Sequence, residues 1–510
     1  KLLYRSVYLD IEGMTFSSLE DLNAAIHVSL HDFNAEVMAG REASRREMFL
    51  RGEKDYLRPL PHKRYVMKER KLMTARRSFR TKLMSALCAV ALAAGTAVAV
   101  SPDASAAPIY PSKVKDPWFR VPASKYENLP HGRLIKSRSM KLVQFPSAVA
   151  EQLVFVSTNS HGEKIFATAL LLRQPQSYAI PNVPLMVYNH FINSLGTECQ
   201  PTYSLTTPIT EFNNPESLTV AGEISLGLNA ALSQGWNILL PDFEGMQGAY
   251  GANILAGHII LDATTALVTS RKFNSRHSKV ILGGYSGGAM STLIAASMAP
   301  KYAPAPRFVG AIAGGTPADM EWMGLALGNN PNPGFGIVAG TMIGLEREYP
   351  DRMNVFARMK PEWQDRLRRG LKDSCVSTMI GAFTGQSMRS VFNNVDIRKQ
   401  KRELEVVREN SPLYYPLSPK MPLYLYHGNQ DIAVPVAKIK KLARRYCSTG
   451  TKVTLATMDL SEHLLVGFVG LPSAAAWAQA RFAGTPAPNE FCEGREYNIL
   501  PLGQLQPPKN

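Results

Sequence analysis

The stretch KVILGGYSGGAMSTLIAA, residues 279–296, decides the fold of this chain. Its apolar first part, 279–283, is typical of a buried strand, and its last part, from Ala289 onward, is typical of a helix. Between them Ser286 stands in the pattern Gly-Tyr-Ser-Gly-Gly, and strand, glycine-flanked serine and helix in this order form a nucleophile elbow. The pentapeptide alone arises often by chance, because glycine and serine are frequent residues. The strand and the helix on either side therefore carry the prediction.

Two partners for Ser286 are found by elimination. In chains with such an elbow, the acid and then the histidine follow the serine. Of the ten histidines, only His427 and His463 come after it. His427 ends an apolar, strand-like run, and Asp431 follows in the next loop, which leaves His463, in the loop after the next strand, as the base. Asp242 is a rival acid, but it precedes the serine and would break this order.

These residue types suit acyl transfer. A serine hydroxyl is a poor nucleophile until a base takes its proton, and here His463 takes it while Asp431 orients the imidazole. A single aspartate after a strand is more often a turn residue, and a single histidine more often a surface or core residue. Three such residues, each at a strand end and in the right order, favour the catalytic interpretation. The N–H of Gly287 and a donor from the loop 189–194 would bind the oxyanion.

The rest of the chain after residue 107 alternates short apolar runs with helical patterns. This alternation predicts an α/β fold with a mainly parallel central sheet flanked by helices. Candidate strands are 153–156, 166–172, 185–188, 236–240, 280–283, 309–313, 423–426 and 453–457. Candidate helices are 223–234, 255–268, 290–298, 436–445 and 472–481.

The alternation breaks between about residues 318 and 415, which predicts an inserted, mainly helical cap. Its first part is apolar and rich in glycine. Such a segment above an active site suits a lid that opens toward lipid, and it suits an ordinary buried helix equally well. Both interpretations stay open at this point.

Several segments together resemble the secretory lipases, the fungal lipase A-like α/β-hydrolases. They are 188–205 (YNHFINSLGTECQPTYSL), 241–245 (PDFEG), 257–258, 261–262, the Ser286 elbow, 314–317 (GGTP), the Asp431 loop and 461–464 (SEHL). The resemblance runs from about residue 110 to the C-terminus. It implies an α/β-hydrolase with a helical cap, acting on acyl esters and often on triacylglycerols, with the triad named above. It also implies an oxyanion position at Asn193, where the family pattern has an aspartate followed by a small residue.

Cysteine usage is consistent with an exported protein. Of the five cysteines, Cys88 lies in a predicted signal peptide, and four remain in the mature part, which permits three pairings. The resemblance to secretory lipases favours Cys199–Cys375 and Cys447–Cys492. No Cys-x-x-Cys motif and no histidine-rich spacing indicates a metal site. The sequence therefore predicts neither a metal nor a cofactor.

The chain before residue 107 has a different character. Residues 73–106 combine a basic start, an apolar run and the small residues Ala-Ser-Ala, which predicts a signal peptide and no membrane span after its removal. Residues 1–72 resemble the C-terminal part of a bacterial insertion-sequence transposase. We expect an upstream remnant, a hydrolase domain at 107–510, and export to an extracellular or periplasmic location in a bacterium.

The sequence thus predicts a secreted serine carboxylic-ester hydrolase, with a triacylglycerol lipase at a lipid–water interface as the first hypothesis. A short-chain esterase, an acyltransferase or a peptidase would use the same triad. A DNA-binding transposase fragment, based on residues 1–72, is the alternative from another class. The net charge of +16 is spread over a large surface, and we expect no nucleic acid partner for the mature enzyme.

Overall fold

The computed structural model describes most of the chain after residue 106 and short parts before it. The described residues are 19–35, 37, 43–52, 107–142, 145–206, 227–393, 399–459, 462–500 and 503–506. Two compact units are present, Lys1–Val98 and Ala99–Asn510. Among the described residues, no helix is long and apolar enough to cross a membrane. The predicted signal peptide, with Cys88, lies outside the described residues.

The first unit contains two described helices, α1 (Leu19–Ala35) and α2 (Arg45–Gly52). The start of α2 is capped, because the hydroxyl and the N–H of Ser44 both donate to the carboxylate of Glu47. The likeness of residues 1–72 to a transposase stays a prediction.

The second unit is built on one eleven-stranded sheet. Its strands are β1 (Leu134–Lys141), β2 (Val149–Thr158), β3 (Lys164–Arg173), β4 (Leu185–Asn189), β5 (Asn237–Pro241), β6 (Lys279–Tyr285), β7 (Arg307–Gly314), β8 (Leu423–Gly428), β9 (Val453–Met458), β10 (Tyr497–Ile499) and β11 (Leu505–Gln506). Their order is β1-β2-β3-β5-β4-β6-β7-β8-β9-β10-β11. Pairing is parallel from β5 through β10 and antiparallel at both ends of the sheet. The α/β-hydrolase sheet expected from the sequence is therefore confirmed, and all eight predicted strands are present.

Helices cover both faces of this sheet, which is why its central strands are apolar on both sides. The remaining helices of this unit with defined bounds are α3 (Pro201–Ser204), α4 (Asn253–Thr269), α5 (Gly287–Tyr302), α6 (Met320–Gly328), α7 (Phe335–Glu348), α8 (Val355–Arg358), α9 (Pro361–Arg369), α10 (Val376–Phe383), α11 (Met388–Val391), α12 (Lys401–Glu409), α13 (Val436–Ser448), α14 (His463–Val469) and α15 (Leu471–Ala483). Successive residues of β4 show the two-sided packing. Leu185 and Val187 belong to the same core as α4 and α5, whereas Met186 belongs to the core that holds Trp477 of α15.

The chain between β7 and β8 forms helices α6 to α12, and we call these helices the cap. Its first two helices, α6 and α7, occupy the apolar, glycine-rich stretch. Apolar residues of α7 such as Phe335 and Ile343 are buried in the main core. Helix α7 is thus a packed part of the structure, whereas residues 321–327 of α6 are half-buried or exposed.

Two disulfides join distant parts of the second unit, and both predicted pairings are confirmed. Cys199–Cys375 links the loop after β4 to the cap, across 176 residues of sequence. Cys447–Cys492 links the end of α13 to the C-terminal part of the chain, across 45 residues. The first bond lies on the loop that contains Asn193, so it holds that loop against the cap.

Candidate active site

Ser286 occupies a strained turn between β6 and α5. Its backbone has φ 51° and ψ −119°, a conformation that side-chain-bearing residues rarely adopt. Its N–H donates to the carbonyl of Gly314 on the neighbouring strand at 2.9 Å. A Cβ on Gly284 would lie 2.5 Å from the carbonyl oxygen of Gly288, and a Cβ on Gly288 would overlap the carbonyl of Asn189. The glycines on either side of Ser286 are therefore required by close backbone approach.

The structure brings Ser286, His463 and Asp431 together. His463 Nε2 lies 2.9 Å from Ser286 Oγ, and His463 Nδ1 lies 2.6 Å from Asp431 Oδ2. The other carboxylate oxygen, Oδ1, accepts from the N–H groups of Ala433 and Val434 at 3.1 and 2.8 Å. These bonds hold the carboxylate in place while it orients the imidazole. A serine, a histidine and an aspartate in this arrangement can supply a nucleophile, a base and an orienting acid.

The other two residues weighed from the sequence have different environments. Asp242 bonds to the hydroxyls of Thr168 and Thr202, and its burial raises its pKa to about 6. His427 is buried, and its Nε2 donates to the carbonyl of Val434 at 2.6 Å. Desolvation lowers the pKa of His427, which favours its neutral form. His427 thus supports the loop of Asp431, a role that sequence reasoning missed.

Asn193 and Gly287 lie side by side at the end of β4. Asn193 has φ 46°, and its side-chain amide contacts the position that a Cβ on Gly287 would take. The buried carboxyl of Glu244 interacts with the backbone N–H groups of Asn193 and Ser194. Burial raises the pKa of Glu244 well above its usual range. The main-chain N–H of Asn193 is engaged there, and the atom of its side-chain amide that lies nearest to Gly287 is Oδ1, with the donor Nδ2 farther away.

A cavity of about 320 Å³ opens beside these residues. Ser286 and His463 line it, and five cap helices contribute to its wall, three of them with most of one face. These three faces are Met320, Glu321, Met323, Gly324 and Leu327 of α6, Ile337, Val338, Thr341, Met342 and Leu345 of α7, and Glu403, Leu404 and Val407 of α12, and the smaller contributions are Val355 and Arg358 of α8 and Val376 and Ile380 of α10. The spacings of three, four and seven residues are those of one side of a helix. A largely apolar cavity that ends at a nucleophile suits an acyl chain.

Comparison with known proteins agrees with this site. The secretory lipase family matches residues 213–490. The chain belongs to the secretory lipase family. Lipase A of Moesziomyces aphidis is 27% identical over 424 residues, which cover 81% of this chain and 88% of that protein. The probable trichothecene esterase SAT6 of Stachybotrys chartarum is 26% identical, with coverage of 78% and 82%. The X-ray structure of Candida antarctica lipase A in its closed state matches with a TM-score of 0.66 at 26% identity, covering 74% of this chain and 87% of that one.

These relatives confirm a lipase-type α/β-hydrolase, and this secretory lipase is a carboxylic-ester hydrolase. The curated relatives named here are fungal. They therefore do not support the bacterial source that the sequence led us to expect.

A buried arginine connects the cap of this secretory lipase to the loops around the site. The guanidinium of Arg347 on α7 donates to five main-chain carbonyls, those of Ile109, Leu195, Gln247, Gly248 and Lys372. Its burial lowers its pKa to about 10. Since Leu195 lies two residues after Asn193, Arg347 supports the loop that carries the candidate oxyanion donor. The sequence gives no sign of this role, because charged residues are expected at the surface.

His190 is a second buried residue that sequence reasoning missed. It lines the cavity, and neither of its ring nitrogens has a hydrogen-bond partner among the described residues. Burial lowers its pKa to about 3, so the ring is neutral. Within the described part of the chain, no group of three or more His, Cys, Asp or Glu residues could hold a metal ion.

Proposed function

We propose that this chain is an exported lipase that hydrolyses acyl esters, including triacylglycerols, through an acyl-enzyme on Ser286. One observation carries the proposal. Ser286 Oγ, the His463 ring and the Asp431 carboxylate form a continuous hydrogen-bonded chain at the end of an apolar cavity. The membership in the secretory lipase family supports export from the cell.

The proposed mechanism follows from this geometry. His463 Nε2 takes the proton of Ser286 as Oγ attacks the ester carbonyl. The N–H of Gly287 donates to the oxyanion of the tetrahedral intermediate, and the side-chain NH2 group of Asn193 is the second donor, once its amide turns so that Nδ2 takes the place of Oδ1 beside Gly287. His463 then gives the proton to the oxygen of the leaving alcohol, which leaves an acyl-enzyme. A water molecule, deprotonated by His463, releases the acid by the same steps in reverse order.

The lining of the cavity supports an acyl chain as the group that binds there. The cap side of the wall is mostly Met, Leu, Ile and Val. We propose a lipid–water interface as the natural site of action. A short-chain esterase or an acyltransferase with the same triad is the second candidate, since one relative is named a probable esterase.

The test is hydrolysis of p-nitrophenyl esters from acetyl to palmitoyl by the wild type and by Ser286→Ala. We expect the variant to lose activity by several orders of magnitude on every ester. The exposed Ser233→Ala is the matched control and should keep full activity. Preference for long chains supports the lipase, and preference for acetyl supports the esterase. Equal activity of the wild type and Ser286→Ala would overturn the assignment of the nucleophile.

A further inference from the structure

The segment PDFEG, residues 241–245, lies beside the candidate active site but supplies no group to the proposed mechanism. It begins at the last residue of β5, which pairs in parallel with β4. The chain therefore leaves both strands at the same edge of the sheet. We call residues 190–200, which include Asn193, the β4 loop, and residues 242–252 the β5 loop. The two loops are neighbours, so the β5 loop can support the β4 loop.

Polar side chains of the β4 loop join the two loops. The Nε2 of Gln200 donates to the carbonyl of Gly245 at 2.8 Å, and its Oε1 accepts the N–H of Glu244 at 3.2 Å. The hydroxyl of Thr197 donates to the carbonyl of Met246 at 3.0 Å. Gln200 is 1% exposed, so its bonds form away from solvent. The backbone around Glu244 is thus fixed against the β4 loop.

The carboxyl group of Glu244 faces the backbone of Asn193 and Ser194. It is buried, the nitrogen of Ser194 lies 3.4 Å from each of its oxygens, and the N–H of Asn193 also donates to it. Successive N–H groups that converge on one acceptor form a nest, which needs a turn-like or left-handed backbone. Asn193 supplies that backbone with φ 46°. A residue with a side chain keeps such a conformation only where its surroundings enforce it, and the acceptor at its N–H is Glu244.

The backbone of Asn193 also decides where its side chain lies. In the observed conformation the amide contacts the position that a Cβ on Gly287 would take. The direction of the Cα–Cβ bond follows from the backbone dihedrals, so a return of Asn193 to negative φ would turn its amide away from Gly287. Groups that stabilise an oxyanion act best when they are in place before the charge develops. The conformation of residue 193 therefore bears on the rate of the reaction.

The charge state of Glu244 suits this position. Burial raises its pKa well above the usual range, although the two N–H groups and the guanidinium of Arg347 act in the opposite direction. The neutral form of the carboxyl is thus favoured. A neutral carboxyl accepts both N–H groups without placing a negative charge near the oxyanion, whereas a carboxylate would repel it.

We propose that Glu244 is a positioning residue for the oxyanion hole, because its carboxyl holds Asn193 in the left-handed conformation that places the amide beside Gly287. The proposal rests on the proposed function, since it requires an oxyanion to form on a substrate that Ser286 attacks. Glu244 does not line the cavity, so it acts on the reaction through Asn193 and without touching the substrate.

The experiment compares two inhibitors of the same chain length, an alkyl trifluoromethyl ketone and the matching alkyl methyl ketone. The trifluoromethyl ketone takes up Ser286 Oγ at its carbonyl carbon, the proton moves to His463 Nε2, and the carbonyl oxygen becomes an oxyanion. The methyl ketone stays trigonal and binds through its chain alone. The ratio of the two inhibition constants therefore measures the stabilisation of the oxyanion, and it does not depend on the fraction of the enzyme that is folded.

Glu244→Leu should lower the preference for the trifluoromethyl ketone by about 100-fold, the effect of a misplaced oxyanion donor, with little change in the inhibition constant of the methyl ketone. Glu244→Gln should keep the preference of the wild type, because its Oε1 accepts the same N–H groups and it carries no charge. The matched control is Glu348→Leu. Glu348 is a second buried glutamate with a raised pKa, caused by desolvation, and it accepts the N–H of Ser160 at 2.6 Å, but it does not line the cavity. This control should lose stability and keep the inhibitor preference.

A double variant tests whether Glu244 acts through Asn193. Asn193→Ala should lower the inhibitor preference by itself, and Glu244→Leu should add no further loss in that background. Additive losses would overturn the proposal, because Glu244 would then act by another route. An unchanged preference in Glu244→Leu, an equal loss in Glu348→Leu, or a loss in Glu244→Gln as large as that in Glu244→Leu would overturn it as well.

The same inhibitors separate this proposal from the proposed function. If the wild type prefers the trifluoromethyl ketone and Ser286→Ala does not, the nucleophile is in place, and an unchanged preference in Glu244→Leu removes only the positioning role. If the wild type and Ser286→Ala show the same weak preference, no oxyanion forms at Ser286, and both the proposed function and the role of Glu244 are wrong.

Discussion

The strand ends and the cap build the same site by different means. Ser286 follows directly after β6, and Asp431 and His463 follow the loops after β8 and β9, three parallel strands whose carboxyl ends meet at one edge of the sheet. Much of the cavity wall comes instead from cap helices, above all α6, α7 and α12, and the described residues of the cap contain no named strand. The strand ends depend on local backbone geometry, and the cap depends on contacts between residues that are far apart in sequence.

This difference shows which sequence features specify the candidate triad and which specify the cavity. The candidate triad needs a tight turn and a few hydrogen bonds, so a short sequence pattern is enough to specify it. The cavity needs three helices at the right distance, and buried polar anchors such as Arg347 hold them there. We therefore expect substitutions at strand ends to change rates without changing stability, and cap substitutions to change stability or chain-length preference.

The largest effect is expected for Asp431→Asn. Its Oδ1 can still accept the N–H groups of Ala433 and Val434, so the loop should keep its shape. Its amide would donate to His463 Nδ1 and force the ring proton onto Nε2, where it blocks proton transfer from Ser286. We expect kcat to fall on the order of 10⁴-fold with an unchanged melting temperature. The exposed Asp459→Asn is the control, and a loss below about tenfold in Asp431→Asn would show that another group serves as the acid.

Arg347→Met should have the largest effect on stability. The methionine fills part of the space but leaves the five carbonyls without their donor. We expect the unfolding free energy to fall by about 3–5 kcal/mol, measured by urea denaturation. Arg352→Met is the control, because the partly exposed Arg352–Glu409 pair should contribute about 1 kcal/mol or less. Equal losses in the two variants would contradict the anchoring role of Arg347.

The variant Glu346→Gln tests the same helix, α7, through the pH dependence of stability. Desolvation raises the pKa of Glu346 from 4.5 to about 7, despite the backbone N–H groups of Val355 and Phe356 that it accepts. The folded chain thus binds this proton more tightly than the unfolded chain does. Below pH 4.5 the carboxyl is protonated in both states, and the unfolding free energy has its full value. As the pH rises to about 7, the unfolded chain loses this proton first, and the unfolding free energy falls by about 3 kcal/mol.

The measurement is the unfolding free energy at several pH values between 4.5 and 7.5. Stability of the wild type should fall relative to Glu346→Gln as pH rises. The exposed Glu362→Gln should follow the wild type at each pH. A constant difference between wild type and Glu346→Gln would show that the carboxyl titrates normally in the folded protein.

The sequence predicted the strands and their ends better than it predicted the cap. The eight predicted strands are apolar runs, and all are found. Strand β1, with the sequence LIKSRSMK, was missed because its mixed residues pair at the edge of the sheet and are only half-buried. The short β10 and β11 were missed as well, because two or three residues carry no periodic pattern.

At the site, chain order alone led to the three residues that the structure brings within hydrogen-bond distance. Their catalytic roles, and that of Asn193, stay predictions. Glu244, His190 and Arg347 could not be predicted, because residues of these types are usually exposed or paired, and their burial results from contacts far along the chain. The sequence also could not predict which faces of the cap helices line the cavity, because an apolar helix pattern does not distinguish residues that line a cavity from residues that pack in the core.

The smallest effect should come from Gly324 on α6, which lines the cavity. A Cβ there would meet nothing within 4 Å, so a larger side chain can enter the space without moving the backbone. We expect Gly324→Phe to lower kcat/KM on p-nitrophenyl palmitate by about tenfold and to leave p-nitrophenyl acetate unchanged, since one filled pocket position costs about 1–3 kcal/mol. Gly381→Phe is the control, because Gly381 lies on cap helix α10, is equally unobstructed and does not line the cavity. If both variants lose palmitate activity to the same extent, the effect is a general disturbance of the cap. If neither does, the acyl chain does not run along α6, and it has to bind along other parts of the cavity wall.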